Sequence, residues 1–123
     1  MQRILFIEDE SALQKAVGEM LTKRGYGILS ALDGETGLAL ALREHPDLIL
    51  LDITLPKKDG FAVLEALKKD PVTRGIPVII MSNRETDLEV DRALELGATT
   101  YLVKMNYNLE EVADKIKYAL AAA

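Results

Sequence analysis

Short apolar runs, each ending on a polar side chain, recur along the chain with room for one helix between them. Ile4-Leu5-Phe6-Ile7 leads into Glu8 and Asp9, and Leu48-Ile49-Leu50-Leu51 into Asp52. Val78-Ile79-Ile80-Met81 leads into Ser82, and Tyr101-Leu102-Val103 into Lys104. A run that is apolar at every position suits a strand covered on both faces, as in a parallel sheet. In open sheets of that kind the ligand site lies just past the carboxyl ends of the strands. The pattern therefore gathers the carboxylates of Glu8, Asp9 and Asp52, the Ser82 hydroxyl and the Lys104 ammonium at one edge.

The segments between the runs read as helices. Leu13, Val17, Met20 and Leu21 recur at helical spacing before Gly25, and Gly27–Ala31 forms a short second strand. A helix over Glu35–Glu44 carries Leu38, Ala41 and Leu42 on one face and stops before Pro46. Strand three is expected at Asp47–Leu51. Helices are expected from Gly60 to about Lys69, over Asp87–Leu96, and from Leu109 to about Leu120, the last presenting Leu109, Val112, Ile116 and Leu120 on one face. Strands at Val78–Met81 and Thr100–Val103 complete five βα units, an α/β fold whose right-handed crossovers put helices on both faces of one parallel sheet. No repeat or linker interrupts residues 1–123, which read as one domain.

Composition narrows the chemistry. The chain has no cysteine, which removes disulfides, thiolate metal sites and cysteine nucleophiles. Fifteen Lys and Arg against 20 Asp and Glu give a formal charge of −5, with no basic block, which disfavours direct nucleic-acid binding. No apolar stretch is long enough to span a bilayer, and the first run is too short for a secretory signal, so a cytoplasmic protein with no membrane association is expected.

Three carboxylates at adjacent strand ends repel one another unless a cation compensates them. Mg²⁺ suits such a site, because it is a hard ion that takes oxygen ligands and keeps part of its shell for water or phosphate; Mn²⁺ is the alternative. Asp52 is then a candidate nucleophile toward phosphorus. Phosphoryl transfer asks mainly for alignment and charge neutralisation, tasks that suit the cation, Lys104 and Ser82.

These residues, in this order, resemble the receiver domain of two-component response regulators, including the single-domain chemotaxis regulator. The resemblance spans essentially the whole chain. It rests on Glu8-Asp9, Asp52, Leu55-Pro56, Asp59-Gly60, Ser82, Gly97-Ala98, Tyr101 and Lys104. It implies a flavodoxin-like, doubly wound five-stranded sheet in the order 2-1-3-4-5 with five helices; that order comes from the family and not from periodicity.

The resemblance also implies a phosphorylatable switch, not a turnover enzyme. Asp52 would take a phosphoryl group from a phosphohistidine of a sensor histidine kinase or phosphotransfer protein. Glu8, Asp9, Asp52 and the backbone carbonyl of Thr54 would hold Mg²⁺, while Ser82 and Lys104 contact the phosphoryl group. Ser82 and Tyr101 would form the switch. Its movement would change the face made by the fourth helix, fifth strand and fifth helix, where a downstream protein docks and where a phosphorylation-dependent dimer is open. Thr54 and Arg84 occupy positions that tune the lifetime of the phosphoryl group.

One departure stands out. Met105 follows Lys104 where most of the family has proline after a typically cis bond. A cis bond before a non-proline residue costs about 2.5–4 kcal/mol, so a trans Lys104–Met105 bond is expected. Two readings compete with the switch. The first is a receiver-like interaction module independent of phosphorylation. The second is a phosphatase with Asp52 as nucleophile, disfavoured because Thr54 stands where a second aspartate would supply an acid.

Overall fold

The computed structural model describes residues 1–53, 59–82, 87–103 and 108–122, with the backbone alone at 87–89 and 103. Strands and helices alternate: β1 (Arg3–Ile7), α1 (Ser11–Lys23), β2 (Gly27–Ala31), α2 (Gly34–Glu44), β3 (Leu48–Asp52), α3 (Gly60–Lys69), β4 (Val78–Ser82), α4 (Asp87–Glu95), β5 (Thr100–Val103) and α5 (Leu109–Ala122). All four strand pairings are parallel, in the order β2-β1-β3-β4-β5. The expected architecture is therefore the observed one. The bounds move by a few residues: β3 and β4 each run one residue further, onto Asp52 and Ser82, so both polar side chains sit inside the ladder.

Period-two alternation divides the core. Leu5, Ile7, Ile49, Leu51, Val78 and Ile80 pack toward Phe61, Val63, Leu64 and Leu67 of α3 and Ala93 of α4. Ile4, Phe6, Leu48, Leu50, Ile79 and Met81 face Val17 and Leu21 of α1 and Val112 and Ile116 of α5. Each such side chain stabilises the fold by about 1.5–3 kcal/mol relative to exposure, which explains why runs without a polar residue are needed here.

Two helices are seated differently from the sequence expectation. In α2 the buried positions are Gly34, Gly37 and Ala41, while Leu42 is 37% exposed. A Cβ on Gly37 would lie 2.5 Å from Cδ1 of Ile7, so a bare backbone is what lets α2 press onto β1. In α5 Val112 and Ile116 are inward as expected, with Ala113 and Ala119 beside them and Leu120 partly buried on the same cluster, but Leu109 is left 38% exposed at the first turn. The stop of α2 also differs in kind. His45 adopts a left-handed conformation (φ 49°), and its N–H returns to the Ala41 carbonyl, so the helix closes one residue before Pro46 acts.

Candidate functional site

Register brings the acidic residues together. Ile7 of β1 pairs with Leu51 of β3, so the next residues, Glu8 and Asp52, leave the sheet side by side. Alternation turns both toward the side covered by α1 and α5, since Phe6 and Leu50 point that way. Glu8, Asp9 and Asp52 each offer a carboxylate oxygen, and these oxygens lie within 4.8 Å of one another. Glu8 is 0% and Asp52 3% exposed, while Asp9 is open to solvent.

Local chemistry fixes these groups. The Glu8 N–H donates to the Ala31 carbonyl (3.0 Å), extending the β1–β2 ladder by one bond. The Glu8 carboxylate accepts from the Glu10 N–H at 3.2 Å, at the start of α1. Ile53, just past Asp52, donates its N–H to the Met81 carbonyl (3.1 Å), and its own carbonyl accepts from Gly60 N–H (3.1 Å). Asp59 caps α3, its side chain accepting from Phe61 N–H at 2.8 Å. The first turn of α3 is thereby pinned behind the Asp52 backbone.

Two nearly buried carboxylates and a third alongside suit a hard divalent cation. All the donors are oxygen, and without compensating charge their burial and mutual repulsion are costly. The described residues thus fit a metal of that class.

Ser82 and Tyr101 lie on the opposite side of the sheet. Ser82 follows Ile80 at alternate spacing, and Ile80 pairs with Tyr101. Tyr101 is half-buried against the cluster that α3 and α4 cover, and Ser82 is fully buried. Hydroxyl and ring therefore share a sheet face on neighbouring strands, two residues apart along the ladder. Val103, the residue before Lys104, pairs with Ser82. Lys104, Thr54 and Arg84, and with them the Lys104–Met105 bond, lie outside the described residues.

The model of the response regulator receiver domain matches residues 4–117. The chain belongs to the response regulator receiver domain family. Receiver domains are signalling switches of two-component systems, not enzymes that turn over an external substrate; they work between histidine kinases and downstream effectors. Among curated relatives, the DNA-binding dual master transcriptional regulator RpaA of Synechocystis is 38% identical over 120 residues, 98% of this chain and 49% of RpaA. The chain spans about half the length of the transcriptional regulators it matches. A receiver domain protein of Methanospirillum hungatei superposes with a TM-score of 0.92 at 29% identity, covering 99% of this chain and 95% of the other. Response regulator Rcp1 in its Mn²⁺-bound form is 30% identical, with a TM-score of 0.79 over 96% of this chain and 91% of its own.

Sequence reasoning passed over one residue of this receiver domain beside the acidic cluster. Gln14 of α1 donates from Nε2 to the carbonyls of Phe6 (2.9 Å), Glu8 (3.1 Å) and Ala31 (3.0 Å). A signal existed: Gln14 stands three and seven residues before Val17 and Leu21, a polar residue at an inward helical position. Among the described residues no helix is long and apolar enough to cross a membrane.

Proposed function

We propose that Asp52 of this cytoplasmic protein accepts a phosphoryl group from a phosphohistidine of a sensor histidine kinase or phosphotransfer protein, with Mg²⁺ held by Glu8, Asp9, Asp52 and the Thr54 carbonyl. The observation that carries this reading is the meeting of three carboxylate oxygens within 4.8 Å at the ends of β1 and β3, with Asp52 nearly buried. When bound, the cation supplies positive charge against the cluster and the incoming phosphoryl oxygens. A carboxylate oxygen of Asp52 attacks phosphorus in line with the departing imidazole nitrogen. The O–P bond forms as the N–P bond breaks, and the imidazole leaves with its electron pair and picks up a proton. A carboxylate nucleophile, unlike a hydroxyl, has no proton to give up on attack, so no separate base is needed. Hydrolysis reverses the state: water attacks phosphorus, phosphate leaves, and the carboxylate returns.

Ser82 donates its hydroxyl to the new phosphoryl oxygens, and Lys104 neutralises them. Roles for Lys104, Thr54 and Arg84 rest on the family resemblance. The phosphoryl group brings about −1.5 to −2 of charge and strong acceptors, enough to draw Ser82 toward it. Tyr101, on the same sheet face, follows into the vacated space, and the α4-β5-α5 surface presents a different face to a downstream protein.

Incubation with Mg²⁺ and a small acyl phosphate tests this. Wild type gains the mass of one phosphoryl group, and Asp52→Asn gains none. Equal modification of both proteins, or of neither, overturns the assignment.

A further inference from the structure

We propose that Gln14 is a positioning residue for the cation site, fixing the peptide between Glu8 and Asp9 so that both carboxylates converge with Asp52. This rests on the reading of that cluster as a divalent-cation site. Gln14 carries two N–H protons on Nε2 and meets three carbonyl oxygens, those of Phe6, Glu8 and Ala31, at 2.9, 3.1 and 3.0 Å. Its Oε1 is buried with no hydrogen-bond partner among the described residues. Orientation of the amide is thereby decided: turned over, Oε1 would face three acceptors and nothing would donate.

The Glu8 carbonyl belongs to the same peptide unit as the Asp9 N–H. Holding that oxygen sets the direction in which Asp9 leaves the strand. The backbone N–H of Gln14 meanwhile donates to the Glu10 carbonyl (3.0 Å), and the Glu10 N–H donates to the Glu8 carboxylate (3.2 Å). Residues 8–14 thus close into a loop whose two ends are tied by one side chain. Ala31, whose carbonyl accepts from both Glu8 N–H and Gln14 Nε2, ties that loop to β2. The acids that meet the cation are held from behind by a residue that need not touch it.

Gln14→Met and Gln14→Leu keep an apolar stem on the inward face of α1 and remove the donor. The Mn²⁺ dissociation constant is read by electron paramagnetic resonance on protein shown to be folded by circular dichroism. Both variants are expected to bind Mn²⁺ about tenfold more weakly, the low end of what outer-shell partners contribute. Phosphorylation at saturating cation stays near the wild-type rate. A purely structural role would lower the melting temperature and leave the Mn²⁺ constant of the folded protein unchanged, and that result overturns the proposal. Should neither variant fold, the wild type decides. Mg²⁺ is expected to shift the Gln14 side-chain amide resonances and slow their exchange, and an amide indifferent to Mg²⁺ overturns the proposal. If wild type and Asp52→Asn bind Mn²⁺ equally, or neither binds, the reading of the cluster fails. If binding depends on Asp52 but not on Gln14, only the positioning role fails.

Discussion

Gly60 stands so close to Ile53 that a Cβ on it would fall 2.4 Å from the Ile53 Cα, and 2.7 Å from the carbonyl oxygens of both Asp52 and Ile53. All three neighbours are backbone, which cannot rotate away as a side chain does. Gly60→Ala must therefore push α3 off the end of β3 or displace the Asp52–Ile53 peptides. The expected loss is about 1–3 kcal/mol, the range for overpacking a filled interior. Urea denaturation measures it. The phosphorylation rate of the folded variant should fall too, because the displaced backbone is the one that carries Asp52. An unaltered rate would mean that α3 yields and β3 does not.

Gly60 also shows what could be read from the sequence. Asp59-Gly60 was legible as part of a family pattern, but the reason for the glycine was not, because close approach of two backbones leaves no mark on periodicity. The strands were legible because fully apolar runs admit few other structures, and Glu8, Asp9 and Asp52 were legible as the residues on which those runs end. Strand order was not in the periodicity at all, since any right-handed arrangement of five βα units satisfies the same pattern. The seat of α2 escaped because it depends on Gly37 fitting over Ile7, and a hydrophobic-face argument looks for large side chains. Gln14 escaped because a polar residue at an inward helical position reads as a defect until its three acceptors are seen.

Arg92 of α4 lies over the ring of Phe61 of α3 at 4.3 Å from the centroid. Phe61 directly follows Gly60, so this contact links α4 to the turn behind Asp52. Arg92→Ala is expected to cost about 0.5–1 kcal/mol, the range for an exposed cation–π pair. A double-mutant cycle with Phe61→Leu should recover most of that as coupling. Hydrogen exchange of the α4 amides should quicken in Arg92→Ala and leave those of α1 unaffected. Uniform quickening would place the effect in global stability.

Lys68 gives a pH dependence with a definite sign. Its ammonium donates to the carbonyls of Ile76 (2.8 Å) and Arg74 (3.2 Å), and burial pushes its pKa below 10.5. The unfolded chain then binds this proton more tightly than the folded one. Stability from this group rises with pH between the lowered pKa and 10.5, and below that window the cost of burying its charge is fully present. An NMR titration should find Lys68 losing its proton below pH 10.5. Lys68→Met should flatten the rise of stability with pH in that window.

The acidic cluster should make two substitutions act with opposite sign depending on the cation. Glu8, Asp9 and Asp52 place oxygens within 4.8 Å of one another, so in chelator each charge raises the energy of the others. Asp9→Asn and Asp52→Asn are therefore expected to raise the melting temperature of the metal-free protein, by an amount corresponding to about 1 kcal/mol. With Mg²⁺ the order reverses. A cation at a hundred times its dissociation constant stabilises the wild type by about 2.7 kcal/mol, and a variant missing one ligand gains far less. Thermal melts of the three proteins in chelator and in excess Mg²⁺ check both halves. If the substitutions destabilise in chelator as well, these side chains hold the fold through their hydrogen bonds more than they strain it through their charge.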